Sequence, residues 1–548
     1  MPPTKPLFTV VPPNARNAKV PTPFALHRDR WDDFGYKTQY QLMHHEGDEE
    51  TYIGNVKILQ KGQRETRQGL LEDGPHTKLD TDFCSLGQTL DYYERVAALP
   101  LVLRTQLVKA LRDVVQRPAL IPSYRKEPGW TTSILRDIDD LNEFTSVAAV
   151  LLSKDYSSLA DVSLDLTFKP SGWKKALELN FDTLVTQGQA QPITSPRYRL
   201  PKRIAVLVGR NGSGKSTLLA RFARVAHAPR MARRREPIRS LGTLMPRGVG
   251  FTRIIAISYS AFDSFQIPGV TVEERRQIAR DVDDGTGRYI FCGLRDIAAE
   301  LQSTVSEESD EDLEKIVEAD DLAQTTLLKP IEKLATEFVR TLGRIREADR
   351  WNLLEEAAAP LLNDPSFGGD DTVPIDTIFG TEPRETFLRW STGHKIVMQI
   401  VTALVAYTQP KAIVLLDEPE THLHPPLLAA LMHGVRFVLE KLDAFAIVAT
   451  HSPVVAQESL ARHVHILRRS SASATITVPR IETFGESIGE VSDEIFGLNS
   501  EATDFHEILK RLTKRLKTLK AVEAQFDHGL SMQARAYVMS LIATDDDS

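Results

Sequence analysis

Cysteine is nearly absent. Cys84 and Cys292 are the only two in 548 residues, too few for a disulfide framework or a cysteine zinc site, and suited to a reducing compartment. Long hydrophobic runs are missing as well: no stretch approaches the roughly 18 apolar residues of a membrane helix. The opening segment, MPPTKPLFTVVPPNARNAKVPTP, is proline-rich without the apolar centre of a secretory signal. A cytoplasmic location is therefore expected. Nor is there an excess of positive charge. A net charge of −7 removes any global basic attraction to nucleic acid and leaves only local patches. What remains is globular: 42% hydrophobic and 26% charged residues over a length that implies two to four domains.

The most informative segment is GRNGSGKST, residues 209–217, directly after the apolar run Ile204-Ala205-Val206-Leu207-Val208. Strand, glycine-rich loop and helix start follow in the order of a phosphate-binding P-loop. Glycines let the backbone close around a phosphate without Cβ clashes, and the helix start adds N–H groups and a positive dipole end. Gly209, Arg210, Asn211, Gly212, Ser213, Gly214, Lys215, Ser216 and Thr217 are the expected ATP-binding residues. Lys215 reaches the β- and γ-phosphates, and Ser216 holds Mg²⁺.

Around this segment the chain divides into five parts. Residues 1 to about 28 read as an extended arm. Alternation at 36–42 and 52–59 and helical spacing at 87–117 make 1–125 an α+β module. The head's first half spans 126–300. It includes a strand at 162–168, expected to open the nucleotide-binding sheet, and another at 253–259. Residues 301–385 read as a helical insertion, with an acidic run at 307–312 and a Gly/Asp-rich loop at 368–371. The second head half, 386–470, alternates strand and helix, which implies a parallel α/β sheet. Residues 471–548 form a helical extension, with a basic amphipathic helix at 505–526. No internal repeat is present.

Two further strands end in chemistry. Ala412-Ile413-Val414-Leu415-Leu416 runs into Asp417 and Glu418. In a P-loop enzyme the strand-end Asp binds Mg²⁺ through water, and the next carboxylate is placed to take a proton from the attacking water. Ala446-Ile447-Val448-Ala449-Thr450 ends at His451, a candidate reader of the γ-phosphate. Gln266, beyond the 253–259 strand, is a candidate Mg²⁺ and water sensor. Ser391 and Gly393 open a helix, where a hydroxyl and free N–H groups suit a phosphate.

The order P-loop, long insertion, Ser-x-Gly at a helix start, Asp-Glu strand and His strand resembles the ABC-type ATPase head. In that family the serine-glycine motif meets the γ-phosphate held by the opposing subunit, so the resemblance implies a homo-oligomer with ATP between paired heads. Trp390-Ser391-Thr392-Gly393-His394 departs from the usual Leu-Ser-Gly-Gly-Gln, and the fit rests on Ser391 and Gly393. Glu418-Pro419-Glu420-Thr421-His422-Leu423-His424-Pro425 and His451-Ser452-Pro453 resemble RecF-like and overcoming-lysogenization-defect ATPases. After the last head strand, no Glu-then-Asp-x-Asp arrangement lies on strands, so a built-in TOPRIM nuclease is not expected. Trp31-Asp32-Asp33-Phe34, Ile290-Phe291-Cys292-Gly293-Leu294-Arg295 and Thr483-Phe484-Gly485-Glu486-Ser487 resemble PtuA, the ATPase subunit of Septu-type and retron-associated anti-phage systems. That likeness implies a PtuB-like HNH nuclease partner and, in retron systems, a reverse transcriptase with an RNA–DNA hybrid.

Other readings stay open. A RecF/SMC-like DNA-binding repair ATPase would bind DNA without a nuclease partner, and a regulatory ATP sensor would bind without turnover. The basic helix, with Lys510, Arg511, Lys514, Arg515, Lys517 and Lys520, is either an ordinary packing helix or a dock for an acidic partner. The same choice applies to the cluster Arg230, Arg233, Arg234 and Arg235. His422 and His424 lack helical i,i+4 spacing and a third ligand, so an interface position is preferred over a metal site.

Overall fold

In the computed structural model the apolar runs ending at Val208, Asp417 and Thr450 become strands of one seven-stranded sheet. The model describes residues 5–13, 20–30, 32–47, 49–65, 71–138, 140–159, 164–181, 202–307, 326–367, 382–469, 474–496 and 504–546. Across the sheet the order is Tyr289–Gly293, Ile254–Ser258, Ile413–Asp417, Phe445–Thr450, Ile204–Val208, Val464–Arg469 and Ala474–Thr477. The first six strands are mutually parallel and the last is antiparallel. Every residue of the four central strands is buried, which is why they read as unbroken hydrophobic runs rather than alternating ones.

Helices cover both faces. The helix Lys215–His227 packs on one side through Leu218, Leu219 and Phe222. On the other side lie the helices Thr392–Tyr407, Pro425–Lys441, Ile331–Glu347 and Trp351–Leu362. The last two come from the expected insertion, yet they share the head's core. Leu334, Phe338, Leu342 and Ile345 recur at helical spacing and are all buried there. The Gly/Asp-rich loop at 368–371 and the acidic run from 308 onward lie outside the described residues.

The strand expected at 162–168 is found at Asp165–Pro170, but not in the main sheet. It is the centre of a three-stranded antiparallel sheet with Gly242–Met245 and Leu177–Asn180. The reason is its alternation: Leu166, Phe168 and Pro170 are buried while Asp165 and Lys169 face water. A strand with one wet face cannot sit inside a sheet covered on both sides.

The proline-rich start is not a free arm. Phe8–Val11 and Phe24–Arg28 pair in parallel within a six-stranded sheet, beside Gly74–His76, Gln39–Glu46, Glu49–Gln60 and Phe83–Gly87. The helical stretch at 87–117 breaks at Pro100 into Leu90–Ala98 and Leu101–Ala110, because proline lacks the N–H that would continue the helix. The module's core runs past residue 125. It takes in Val147, Ala148 and Leu151 of the helix Leu141–Ser153, which packs on Leu90–Ala98.

Charge welds this module to the head. On Leu90–Ala98, Arg95 pairs with Asp281 at 3.0 Å, Glu94 with Arg253 at 2.5 Å and Asp91 with Arg288 at 3.2 Å. Asp91 also meets the ring of His227, at the end of the P-loop helix, at 3.2 Å. At the other end of the chain the basic helix is shorter than expected. Asp504–Leu516 stops at Lys517, whose φ is +58°, and Thr518 caps a second helix, Leu519–Glu523. Leu509, Val522 and Val538 form a small core of their own. No helix among the described residues is long and apolar enough to cross a membrane.

Gly434 marks the closest approach between the helices Pro425–Lys441 and Trp351–Leu362. A Cβ there would lie 2.6 Å from the backbone oxygen of Ala357. Replacing Gly434 with Val should destabilise the head by about 1–3 kcal/mol. A lowered midpoint in urea denaturation is the expected result; an unchanged midpoint would mean that the two helices can separate freely.

Candidate active site

Register does the first part of the assembly. Ser258 is level with Asp417, Asp417 with Ala449, and Ala449 with Leu207. The strands therefore end together, and the residues that follow them, from Gly209, Glu418 and His451, emerge at the same edge. This edge holds the carboxyl ends of parallel strands, where open α/β sheets bind ligands.

Gly209 has no room for a side chain: a Cβ would come within 2.4 Å of the Leu467 carbonyl oxygen. Gly212 and Gly214 have φ of +77° and +94°, in the left-handed region that favours glycine. Lys215 is 4% exposed, and its Nζ donates to the carbonyl oxygens of Gly209 at 2.9 Å and Arg210 at 3.4 Å. Burial lowers the pKa of this ammonium, and the carboxylates of Glu418, Asp417 and Glu420 oppose that. Arg210 turns outward, its Nε donating to the Phe496 carbonyl at 3.0 Å.

Ser216 and Asp417, 201 positions apart in sequence, meet directly. The Ser216 hydroxyl donates to Asp417 Oδ1 at 2.9 Å. Burial pushes the Asp417 carboxyl up to about 7; the Ser216 bond opposes this, and the charges of Glu418 and Asp263 add to it. Its other oxygen, Oδ2, is buried with no hydrogen-bond partner. An orphaned carboxylate oxygen beside a serine hydroxyl, close to a buried ammonium, fits the donor set of a hard divalent cation such as Mg²⁺.

Glu418 follows with φ of +48°, its N–H held by the Ala449 carbonyl at 2.8 Å. His451 sits between two carboxylates, its Nδ1 3.7 Å from Glu418 and 3.0 Å from Glu420. The carboxylates of Glu418 and then Glu420 raise the imidazole to about 10. The same His451 contact pulls Glu418 below the usual carboxylate range. Glu420 is the organiser of this corner. Its Oε1 accepts from the Thr450 hydroxyl at 2.7 Å and from the His451 N–H at 2.6 Å.

Lys215, Ser216, Asp417, Glu418 and His451 are thus brought to one place. Gln266 is not among them. Its amide oxygen accepts from Arg224 at 3.3 Å, eight residues beyond Ser216 on the P-loop helix. From that loop, Asp263 is the group whose charge reaches Asp417. Ser391 is exposed and caps the helix Thr392–Tyr407, accepting the His394 N–H at 3.3 Å. A Cβ on Gly393 would lie 3.1 Å from the His422 carbonyl oxygen. Sequence reasoning overlooked three contributors: Glu420, Asp263 and Trp173. The indole of Trp173 is 3.8 Å from where a Cβ on Gly214 would stand. An aromatic residue in the Ser171-Gly172-Trp173 turn was the available signal for the last.

Comparison with known proteins places this geometry in context. Residues 297–456 match a family described as "AAA domain, putative AbiEii toxin, Type IV TA system". "Protein ea59" of Escherichia phage lambda is 28% identical over 535 residues, covering 95% of each chain. Among solved structures, one described as "a putative metal-chelate type ABC transporter" in an inward-facing conformation overlays with a TM-score of 0.25 at 16% identity, over 62% of this chain and 90% of that one. The cbiO1 protein of Clostridium perfringens, part of the ABC transporter complex cbiONQ, overlays with a TM-score of 0.26 at 14% identity, over 65% and 97%. These overlays are too loose to carry an argument; the family match over residues 297–456 and the parallel sheet around the glycine-rich loop fit a P-loop ATPase fold.

The His451 environment sets a pH dependence. A raised folded-state pKa stabilises the fold fully below the unfolded value of about 6.5, and that contribution is lost as pH rises toward about 10. The stability advantage of the native chain over His451→Gln should therefore be largest near pH 6 and shrink toward pH 10. Thermal midpoints at several pH values measure it, and a constant gap would rule out the charged imidazole.

Proposed function

We propose that this chain binds and hydrolyses ATP with Mg²⁺, and that ATP draws two heads together. The observation that carries the reading is the contact of Ser216 with Asp417 beside Lys215. In this reading the loop Gly209 to Thr217 cradles the phosphates with its N–H groups, and Lys215 supplies the charge. Ser216 and Asp417 hold Mg²⁺, which when bound polarises the phosphoryl oxygens. Glu418 takes the proton of the attacking water. Paired with His451 it is a weak base. A terminal phosphate that draws off the imidazolium would raise its pKa, so the base strengthens when substrate is present.

The exposed Ser391 cap, with Gly393 behind it, offers a hydroxyl and free N–H groups to a phosphate held by a second head. The finer reading is that closure of the pair gates a partner effector, an HNH-type nuclease as in Septu-type systems, with a reverse transcriptase and its RNA–DNA hybrid in the retron-linked form. The toxin named in the matching family's description and the relative carried by a phage both fit a role in phage–host conflict.

Glu418→Gln should cut phosphate release at least about 100-fold while ATP affinity stays within about threefold. In ATP and Mg²⁺ it should sediment as a dimer, and adding Ser391→Ala should return it to monomer. No ATP binding by the native chain would sink the whole reading. A Glu418→Gln chain that binds ATP but remains monomeric would remove the paired-head step alone.

A further inference from the structure

We infer that the N-terminal sheet carries a zinc site built from His27, His45 and Glu50. These residues lie on three consecutive strands, Phe24–Arg28, Gln39–Glu46 and Glu49–Gln60. His45 is directly across from Glu50 in the antiparallel register. His27 reaches the same carboxylate from the neighbouring strand. The Nε2 atoms of both rings are 3.5 Å from a single oxygen, Glu50 Oε1, and the three candidate ligand atoms lie within 4.8 Å of one another. It is the only such group of three among the described residues.

The distances favour a metal over a plain ion pair. At 3.5 Å both contacts are longer than an ordinary N–H···O bond, whose mode is about 2.9–3.0 Å. Ligands bound tetrahedrally to zinc at about 2.0–2.1 Å are separated by roughly 3.4 Å, close to the two imidazole–carboxylate separations of 3.5 Å. His45 Nε2 is buried with no hydrogen-bond partner, so the atom that would donate to the metal has no competing role. Two imidazoles and one carboxylate also select zinc over magnesium or calcium, which prefer all-oxygen sites. The rings lie on the closed side, His27 at 7% and His45 at 22% side-chain exposure, whereas Glu50 is 41% exposed. This site is independent of the nucleotide site.

The test uses the full chain, stripped with chelator and dialysed against zinc chloride. Elemental analysis should find one zinc per chain, and cobalt chloride should give the intense visible absorption of tetrahedral cobalt. His27→Ala/His45→Ala should lose both signals. Glu50→Gln should weaken zinc binding by at least about tenfold; its side chain is exposed, so it carries the test if the double variant does not fold. His422→Ala/His424→Ala should keep the zinc. A native chain that takes up no zinc, or a zinc affinity unchanged in Glu50→Gln, would overturn the assignment.

Discussion

The parallel register of four buried strands is the constraint from which the candidate site follows. A strand buried on both faces has little freedom to slip, because each one-residue shift would swap the side chains packed against the two helical layers. With Ser258, Asp417, Ala449 and Leu207 fixed in one row, the residues after the strands have no choice of location. Glu418 and His451 face each other because Phe445–Thr450 lies beside Ile413–Asp417. Asp417 meets the P-loop helix because only one strand separates it from Ile204–Val208.

The electrostatics of this corner are a problem of crowding. Asp417, Glu418 and Glu420 bring three carboxylates together, with one buried ammonium and one imidazole among them. The burden is unequal. Asp417, buried and bonded to the Ser216 hydroxyl, is driven toward neutrality, whereas the His451 contact holds Glu418 below the usual carboxylate range. A cation held by Asp417 would reverse its shift, since nearby positive charge favours the ionised form. The site as it stands is therefore poised for added positive charge.

Much of the head was legible in the sequence because its signals are local. The glycine spacing at 209–214 and the apolar runs ending in Asp417 and Thr450 each carry their meaning within ten residues. What escaped was set by partners distant in sequence. Nothing near Glu420 announces that it will hold the His451 backbone. Trp173 reaches Gly214 only because its hairpin folds over the P-loop. The strand at Asp165–Pro170 has a clear pattern, but pattern alone does not choose between two sheets. Phe8–Val11 and Phe24–Arg28 are too short to stand out against their proline-rich surroundings, and pairing with each other makes them strands. The candidate zinc ligands were invisible for the same reason: three strands must first pair in register.

The helix Lys215–His227 begins at the phosphate loop and ends against the N-terminal module, where His227 meets Asp91. Thirteen residues of helix make a rod of about 20 Å. At its far end Arg288 accompanies it, donating to the His227 carbonyl at 2.6 Å and to Asp91 at 3.2 Å. These groups are buried, so a tilt of the rod cannot leave the module behind without stranding uncompensated charge. Under the proposed function, the N-terminal module is in mechanical terms the load on a lever whose other arm is the glycine-rich loop.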